Sequence, residues 1–407
     1  MEENFIRVKP KMEITLYILL KAGVSWYVSE RLGYVIWHYL GLNLTASAIT
    51  VFAVTLFLLL FQGAVKIPKS RSFTSLFRIT IWISGLCCAY IVYLFLVLFP
   101  LDMLVLLEKI PAIHIHPLDY YNDVLLASLA SACIIVSGMI HANELKTVKY
   151  SVSIAGLDRP LRIAHLSDLH MGSVIGRPQI RRIVKQANAL HPDLVLISGD
   201  LFNHNDVREC AHLSDLAEIL RGLQSKYGSY AVAGNHDPAP DDPGFQAFLK
   251  SSGIHLLDNQ AEDLGSVILA GRTGNVLKQR PDIRSWYHTP GNAKIDNGAR
   301  KPVILLDHYP DSIIEAEQMG FSLLLAGHTH NGQYFPCNFL IRFSYRGALR
   351  HGYTQVRHVK CIVSSGSGYF QIPIRVGTDS EIGCIDLVPE VPIDRKRRFE
   401  RKGNSYR

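Results

Sequence analysis

The chain has 407 residues, which is long enough for more than one folding unit, since domains usually contain roughly 100–200 residues. Its formal net charge of +7 is modest and much of it lies in terminal Lys and Arg residues, so composition does not indicate a nucleic-acid-binding surface. The seven cysteines show no CxxC spacing, which argues against a disulfide framework and against a zinc finger.

The first 141 residues contain long apolar runs, whereas residues 142–407 have an ordinary mixed composition. A bilayer core needs about 20 apolar residues per helix. Four segments meet or approach that length and are predicted to span a membrane, namely residues 12–28, 44–65, 79–101 and 124–140. Lys21 interrupts the first segment, so its crossing requires that this lysine reach an interface or face the other helices.

The orientation of these segments follows from the charges in the short loops. Basic residues precede the first segment, fill residues 66–78 and follow the fourth segment, whereas residues 102–123 contain one lysine and four acidic residues. Because basic loops remain in the cytoplasm, we predict a multi-pass protein of the plasma or inner membrane whose second half is cytoplasmic. If the first segment does not cross, the N-terminus moves outside but the second half stays inside.

From residue 161 the pattern changes to short apolar runs that end in polar, glycine-containing turns. Uncharged runs of this length are typical of buried strands. They are residues 161–166, 194–197, 230–233, 267–270, 303–306, 323–326 and 361–364. Amphipathic segments at residues 179–190 and 213–223 connect the first three runs as helices. We therefore predict an α/β fold, a two-sheet β-sandwich flanked by helices and preceded by an α-helical transmembrane region.

The predicted organisation has four parts. Residues 1–141 form the transmembrane region, residues 142–160 a linker, residues 161–388 the α/β domain and residues 389–407 a basic tail. The tail is most simply a solvated segment. Attraction to anionic lipid headgroups is the alternative.

Five of the predicted strands are followed by Asp, Asn or His. The motifs are, in chain order, Asp168-Leu169-His170, Gly199-Asp200, Gly234-Asn235-His236-Asp237, His308 and Gly327-His328-Thr329-His330. A single such motif is most often a surface turn, but ligands of α/β sheets collect at the carboxyl ends of strands, so five strand ends indicate one shared site. Mixed imidazole and carboxylate ligands suit manganese, iron or zinc better than magnesium or calcium.

These five ordered motifs resemble those of the calcineurin-like metallophosphoesterases, and the resemblance extends over residues 161–387. The segments HLSDLHMG, HTHNGQ and SSGSGYFQIPIRVGTDSEI are similar to those of the YkuE/YaeI-type bacterial phosphohydrolases. The resemblance implies two divalent metal ions as cofactors, with manganese favoured and iron or zinc as alternatives. The membrane half has no counterpart in the basic fold of that superfamily.

The resemblance also implies a role for each motif residue. One ion would be held by Asp168, His170, Asp200 and His330. The second ion would be held by Asp200, Asn235, His308 and His328, which makes Asp200 the bridge. Two ions roughly 3.5–4 Å apart would clamp a phosphoryl oxygen, and a metal-bound hydroxide would attack phosphorus. His236 matches the family's non-ligand histidine, a catalytic residue that would stabilise the transition state or protonate the leaving oxygen.

The implied function is a membrane-anchored hydrolase of phosphoester or pyrophosphate bonds. Its partners would be membrane lipids and a phosphoester substrate, with a lipid-linked substrate as the natural expectation, because related enzymes cleave the pyrophosphate of a diacylated UDP-glucosamine. Two alternatives are a nuclease of the same superfamily and a non-catalytic membrane sensor or scaffold. A nuclease would need a basic groove, which the second half lacks outside its tail, so no nucleic acid is expected. A scaffold would be favoured by degraded ligands, and none is degraded.

Other polar residues near the motifs have less specific interpretations. His165 lies within the first strand and is predicted to be a core residue, whereas His204 is a candidate pocket residue. The side chain of Asp237 is equally compatible with facing the site and with pointing away from it. Arg272 and Arg346 are candidate phosphate clamps because guanidinium matches phosphate geometry, although structural arginines are commoner.

Overall fold

A computed structural model describes residues 10–64, 71–107, 120–172, 174–203, 207, 210, 212–274, 280–288, 300–345 and 350–390. The chain divides into two compact units. The helical unit comprises Met1–His141 together with Gln371–Val376. The sandwich unit comprises Ala142–Phe370 and Gly377–Arg407.

Long helices form most of the described part of the helical unit. They are α1 (Pro10–Leu40), α2 (Leu44–Ala64), α3 (Arg71–Leu107) and α4 (Tyr120–Ala142). Over the described residues, two of them are long and apolar enough to cross a membrane, Trp82–Val105 in α3 and Asn122–Ala142 in α4, and Leu44–Phe57 in α2 is a shorter apolar stretch. These two helices coincide with the predicted third and fourth segments. That any of the four segments crosses a membrane, and the orientation of the chain, stay predictions.

Polar side chains join the helices of this unit to one another. Arg31 on α1 donates to Asp102 on α3 over 2.8 Å, and the hydroxyl of Tyr27 donates to the same carboxylate. Ser25 on α1 hydrogen-bonds to Thr55 on α2 over 2.7 Å. Interhelical hydrogen bonds of this kind stabilise helix bundles in an apolar environment, where water does not satisfy polar groups.

Two six-stranded sheets form the centre of the sandwich unit. The strands are β1 (Leu145–Ile154), β2 (Leu161–Leu166), β3 (Leu194–Ile197), β4 (Ser229–Ala231), β5 (Ile254–Leu256), β6 (Gln260–Asp263), β7 (Ile268–Arg272), β8 (Val303–Asp307), β9 (Leu323–Ala326), β10 (Gly352–Val356), β11 (Val359–Val363) and β12 (Ser380–Pro389). The first sheet has the order β1-β12-β2-β3-β4-β5 and the second has the order β10-β11-β9-β8-β7-β6. The predicted two-sheet sandwich is confirmed.

Three apolar layers hold the sandwich together. Between the sheets, Ile163 and Leu196 share one buried cluster with Leu306 and Leu325. The outer faces are covered by helices, namely α5 (Arg177–Asn188), α6 (Leu213–Arg221) and α7 (Pro243–Ser252) on the first sheet and α8 (Ile283–Trp286) and α9 (Ile313–Gln318) on the second. The remaining helix, α10 (Cys337–Ser344), buries none of its residues fully.

The linker predicted over residues 142–160 contains a strand instead. β1 pairs in parallel with β12 along its whole length, from Leu145 opposite Ser380 to Ile154 opposite Pro389. Alternate side chains of a strand point to the same face. Val152 and Ile154 are two residues apart, and both therefore lie in the core between the sheets. The α/β fold therefore starts at Leu145, and only two residues connect it to the end of α4 at Ala142.

Candidate metal centre

Five strands bring their carboxyl ends to one region of the sandwich. In the first sheet β2, β3 and β4 are parallel neighbours, and in the second sheet β8 and β9 are parallel neighbours. The polar residues that follow these strands are Asp168, Asp200, Asn235, His308 and His328. Because parallel strands end at the same edge, the fold itself collects residues that are far apart in sequence.

The first group of candidate ligands consists of Asp168, His170 and His330, whose ligand atoms all lie within 4.8 Å of one another. His330 Nε2 is 3.0 Å from His170 Nε2 and 3.3 Å from Asp168 Oδ1. Two ligand atoms that bind the same ion at about 2.1 Å lie about 3.0–3.4 Å from each other, so these distances fit a shared metal ion.

A second group joins Asp200 and His308 to Asp168. Asp200 Oδ2 is 3.4 Å from His308 Nε2 and 3.7 Å from His170 Nε2, so one carboxylate oxygen faces both groups. This is where a bridging ligand would have to lie. Asp168 also takes part in both groups, although the family pattern assigns it to one ion.

The two remaining predicted ligands lie beside His308. Its Nε2 atom is 2.8 Å from Asn235 Oδ1 and 3.1 Å from His328 Nδ1. The structure thus brings all seven predicted ligands into one cluster, while their roles as ligands stay a prediction.

The donor atoms of the cluster fit a divalent cation. Two imidazole nitrogens at hydrogen-bonding distance, such as His170 Nε2 and His330 Nε2 at 3.0 Å, can share only one proton between two lone pairs. A cation between them would be bound by both lone pairs at once. Nitrogen donors mixed with carboxylate oxygens are acceptable to manganese, iron and zinc, so the donor set does not single out one metal.

Main-chain contacts fix the orientation of the cluster. His308 Nδ1 donates to the carbonyl oxygen of Ser198 over 2.9 Å, which leaves Nε2 to face the other donors. The backbone N–H of His236 donates to Asp200 Oδ1 over 2.8 Å, and that of His328 donates to Asp168 Oδ2 over 3.1 Å. Each carboxylate is therefore held by one backbone donor.

Five of the seven candidate ligands have a left-handed backbone conformation. The φ angles are positive at Asp168 (52°), His170 (46°), Asp200 (54°), His328 (70°) and His330 (49°). For residues other than glycine this conformation costs about 1–3 kcal/mol each and persists only where the surrounding structure enforces it. Strain concentrated on these residues supports a functional role for the cluster.

Two glycines allow the loops of the cluster to approach each other closely. A Cβ atom on Gly234 would lie 2.1 Å from Asp200 Oδ1, and one on Gly327 would lie 2.3 Å from Asp168 Oδ2. No side chain fits at these distances. The glycines of the GNHD and GHTH motifs are therefore required by the position of the two carboxylates.

Burial and mutual charge set the protonation of the metal-free cluster. Burial raises the pKa of Asp168 to about 6 and lowers the pKa of both His170 and His328 to about 3. Burial also disfavours the charged forms of His308 and Asp200, but the attraction between their opposite charges outweighs this effect for both residues. The pKa of His308 rises to about 10, and that of Asp200 falls below its usual range. A cation that binds His308 must therefore displace its proton.

His236 lies against the first group without belonging to either group of candidate ligands in the described part of the chain. Its ring centroid is 5.4 Å from that of His170 and 4.7 Å from that of Phe370. Burial lowers the pKa of His236, although the nearby Asp200 acts in the opposite direction. This position agrees with a histidine that contacts a substrate and binds no metal ion.

Aromatic side chains that sequence reasoning missed line the cluster. Phe370 contacts the first group, with its ring centroid 5.2 Å from that of His170. Tyr309 contacts the second group, with its centroid 4.4 Å from that of His328 and the guanidinium of Arg280 at 4.6 Å from its ring. Tyr309 directly follows a motif histidine and could have been found from that position. Phe370 lies in the segment SSGSGYFQIPIRVGTDSEI, whose resemblance to the family did not indicate which of its side chains faces the cluster.

Asp237 organises the loops of the centre through its carboxylate. Its two oxygens accept hydrogen bonds from the backbone N–H groups of Phe202, at 2.9 Å, and Gly234, at 2.8 Å. Burial, followed by the charge of Asp200, raises the pKa of Asp237 to about 7. Of the two orientations left open by the sequence, these contacts support one directed at the loop backbone.

The remaining polar candidates divide into structural residues and residues outside the described ranges. His165 is buried and hydrogen-bonds to Ser198 over 2.9 Å, so its prediction as a core residue is confirmed. Arg272 is 4% exposed and pairs with Glu315 at 3.1 Å, so its guanidinium serves the core and the phosphate-clamp hypothesis is wrong. His204 and Arg346 lie outside the described residues.

Comparisons with known proteins agree with this geometry. Residues 161–332 match a family model described as calcineurin-like phosphoesterase. An uncharacterized metallophosphoesterase of Helicobacter pylori is 33% identical over 239 residues, which are 58% of this chain and 61% of the relative. A transmembrane protein with metallophosphoesterase domain of Danio rerio is 33% identical over 286 residues, covering 66% of this chain and 63% of the relative.

The uncharacterized metallophosphoesterase YkuE of Bacillus subtilis is 25% identical over 61% of this chain and 86% of its own length. The Helicobacter and Danio matches each span less than two thirds of the relative. The similarity is concentrated in the part of the chain that holds the strands and motifs of the candidate metal centre. Over residues 161–332 the chain therefore matches the calcineurin-like phosphoesterases, and the two-sheet sandwich and the cluster of Asp and His side chains agree with that match.

Proposed function

We propose that this chain hydrolyses a phosphoester or pyrophosphate bond with the help of two divalent metal ions. One observation carries the proposal: Asp200 Oδ2 lies between two groups of donors, 3.7 Å from His170 Nε2 and 3.4 Å from His308 Nε2. A carboxylate in this position can bridge two cations. When bound, such a pair of ions stabilises the charge on phosphoryl oxygens and ionises a water molecule near neutral pH.

The proposed ligand sets divide the cluster between the two ions. One ion would be held by Asp168, His170, Asp200 and His330. The other would be held by Asp200, Asn235, His308 and His328. Manganese is the proposed metal because the sets combine imidazole with carboxylate and amide oxygens, and iron or zinc would suit the same donors.

His236 is proposed to act on the substrate. Its pKa is lowered by burial, so the ring is neutral at neutral pH before a substrate binds. A neutral imidazole can donate one hydrogen bond to a phosphoryl or leaving oxygen. Transfer of a proton to the leaving oxygen would require the negative charge of a bound substrate to raise that pKa.

The substrate is proposed to be amphiphilic, such as a lipid-linked phosphoester. Two helices of the chain are apolar enough to cross a bilayer, and relatives from Danio rerio and Bos taurus are described as transmembrane proteins with a metallophosphoesterase domain. Membrane lipids would then be the immediate surroundings of the enzyme. A hydrolase held at a bilayer meets lipid-linked molecules at high local concentration, which supports this substrate class.

The test uses the full-length protein in detergent. We expect hydrolysis of bis-p-nitrophenyl phosphate or p-nitrophenyl phosphate in Mn²⁺, loss of activity in EDTA and recovery when Mn²⁺ is restored. Activity that resists exhaustive chelation would contradict the metal-dependent mechanism. Two bound ions by elemental analysis, without turnover of soluble or amphiphilic esters, would favour the non-catalytic scaffold.

A further inference from the structure

Helix α10 and the residues before it expose several large apolar side chains on the sandwich unit. They are Phe335 (45% exposed), Phe339 (49%), Leu340 (55%) and Phe343 (70%). Elsewhere in the described part of that unit, the exposed large hydrophobic side chains are Ile314 and Tyr353. Four such residues within nine positions form a patch, and soluble proteins rarely leave an apolar patch without a partner.

The exposed side chains of α10 share one face of the helix. Phe339 and Phe343 are one turn apart and their rings are in contact, with centroids 5.5 Å apart. Leu340 lies three residues before Phe343 and therefore on the same side. Asn338, in the first turn, donates to the carbonyl oxygen of Gly377 over 3.4 Å, which attaches the helix to the sandwich unit.

The charge around α10 favours an anionic partner. Residues 331–350 contain three arginines and no acidic residue. Arg342 lies on the helix itself, with its guanidinium 5.9 Å from the ring of Phe339. An apolar stripe flanked by basic side chains is typical of helices that lie in the membrane interface, where the basic groups contact lipid phosphates.

The chain itself places α10 beside the candidate metal centre. The helix begins seven residues after His330, and the ring of Tyr345, directly after its last residue, is 6.3 Å from the ring of His328. A partner bound to α10 is therefore a neighbour of the centre. The sandwich unit also follows α4 after only two connecting residues, and α4 is apolar enough to cross a bilayer.

We propose that α10 is a membrane-interface helix whose Phe339, Leu340 and Phe343 insert among the acyl chains of a phospholipid bilayer. Transfer of these apolar side chains out of water supplies the driving force. Arg342 binds the headgroup phosphates above them. The inference goes beyond the proposed hydrolysis, because it concerns the binding partner of the helix. It is valid whether or not a substrate is turned over.

Photo-crosslinking of the full-length protein in vesicles tests this proposal. The photoreactive residue p-benzoylphenylalanine is introduced at Phe343 and, as a matched control, at Ile314, which is 54% exposed on α9. The vesicles contain phosphatidylglycerol and phosphatidylcholine. After irradiation, we expect a peptide that carries residue 343 with the added mass of one phospholipid, and no such adduct at residue 314.

Two outcomes would overturn the proposal. One is the absence of a lipid adduct at residue 343 in folded protein that has been incorporated into the vesicles, and the other is a crosslink from residue 343 to a second copy of the chain. A Phe339→Asp change in the probe-bearing protein should abolish the adduct, whereas Ile314→Asp should leave it. Failure of the proposed hydrolysis shows separately, as a lack of turnover of soluble esters, because the crosslinking needs no substrate.

Discussion

At the residue scale, the charge of Asp200 is the feature on which the two candidate metal sites depend. Asp200→Asn keeps the shape of the side chain and removes the negative charge that faces both His170 and His308. Mutation of a residue that only hydrogen-bonds to a metal ligand typically lowers metal affinity or activity roughly 10–100-fold, so mutation of a ligand shared by two ions should lower them further. We expect bound metal, measured by elemental analysis, and turnover of bis-p-nitrophenyl phosphate to fall together.

The matched control for this change is Asp386→Asn. Asp386 is a half-exposed carboxylate on β12 that pairs with Arg162 at 2.6 Å, so the same loss of charge there should leave metal content and rate unchanged. A normal metal content in the Asp200→Asn protein would contradict the bridging assignment.

His236→Ala should separate catalysis from metal binding. No ligand is removed, so both ions should remain bound, while the loss of general-acid or electrostatic help typically lowers the rate roughly 10²–10⁴-fold. If His236 protonates the leaving oxygen, the loss should be smaller for esters with good leaving groups. Turnover of a good and a poor leaving-group ester is measured beside metal content. A missing ion would show that His236 is a ligand, and an unchanged rate on both esters would remove its catalytic role.

Metal binding should depend on pH because of His308. Its pKa of about 10 in the metal-free cluster means that the ring is protonated at neutral pH, and a cation must displace that proton. Since protons compete with the metal, apparent affinity should rise as the pH increases from about 6 to about 8. Calorimetric titration with Mn²⁺ in two buffers of different ionisation enthalpy measures the proton release. The exposed His212 offers a control, because His212→Gln should not change the number of protons released on metal binding.

The seven candidate ligands could be predicted because each follows a buried strand and carries an unusual side chain for that position. Their conformations could not be predicted. The left-handed φ angles at Asp168 and Asp200 depend on hydrogen bonds between two separate loops. The backbone N–H of Asp168 donates to the carbonyl oxygen of Gly199, and the carbonyl oxygen of Asp200 accepts from the backbone N–H of His170. Phe370 was missed for a similar reason, because its contact with His170 is made only by the folded chain.

At the element scale, β1 makes a prediction about stability. Ile154 is 1% exposed and lies in the core between the sheets, so Ile154→Ala should destabilise the sandwich unit by roughly 2–5 kcal/mol. Ser153 is exposed on the same strand, and Ser153→Ala should have little effect. Trp286 is the only tryptophan in residues 142–407 and reports unfolding of this unit in urea through its fluorescence. Equal urea midpoints for the two variants would contradict the role given to β1.

The accuracy of the strand predictions depended on where each strand lies in its sheet. β2, β3 and β9 have the predicted bounds, because each is a continuous buried apolar run within a sheet. The four edge strands, β1, β5, β6 and β10, were missed, because edge strands are short or half-exposed and have no continuous apolar run. β12 was missed because Glu381 and Asp386 interrupt its pattern.

At the scale of the whole molecule, the loop charges predict that the sandwich unit is cytoplasmic. Truncated chains fused to a topology reporter after Asn143 and after Ile113 should give opposite readings, cytoplasmic for the first and external for the second. The fourth predicted segment, residues 124–140, separates the two fusion points. An external signal from the fusion after Asn143 would overturn the orientation, and the same signal from both would show that this segment does not cross.

The place of β12 in the first sheet has a consequence for the order of events during synthesis. β12 is made after all the other strands but lies between β1 and β2, the first two. The long helices and all seven candidate ligands leave the ribosome before residues 380–389, whose pairing joins β1 to the sheet. Domains made at the N-terminal side generally fold first. If the apolar helices enter the membrane as predicted, a nascent chain is anchored early and stays catalytically silent until translation reaches β12. A product truncated before residue 380 would then occupy the membrane without hydrolysing anything there.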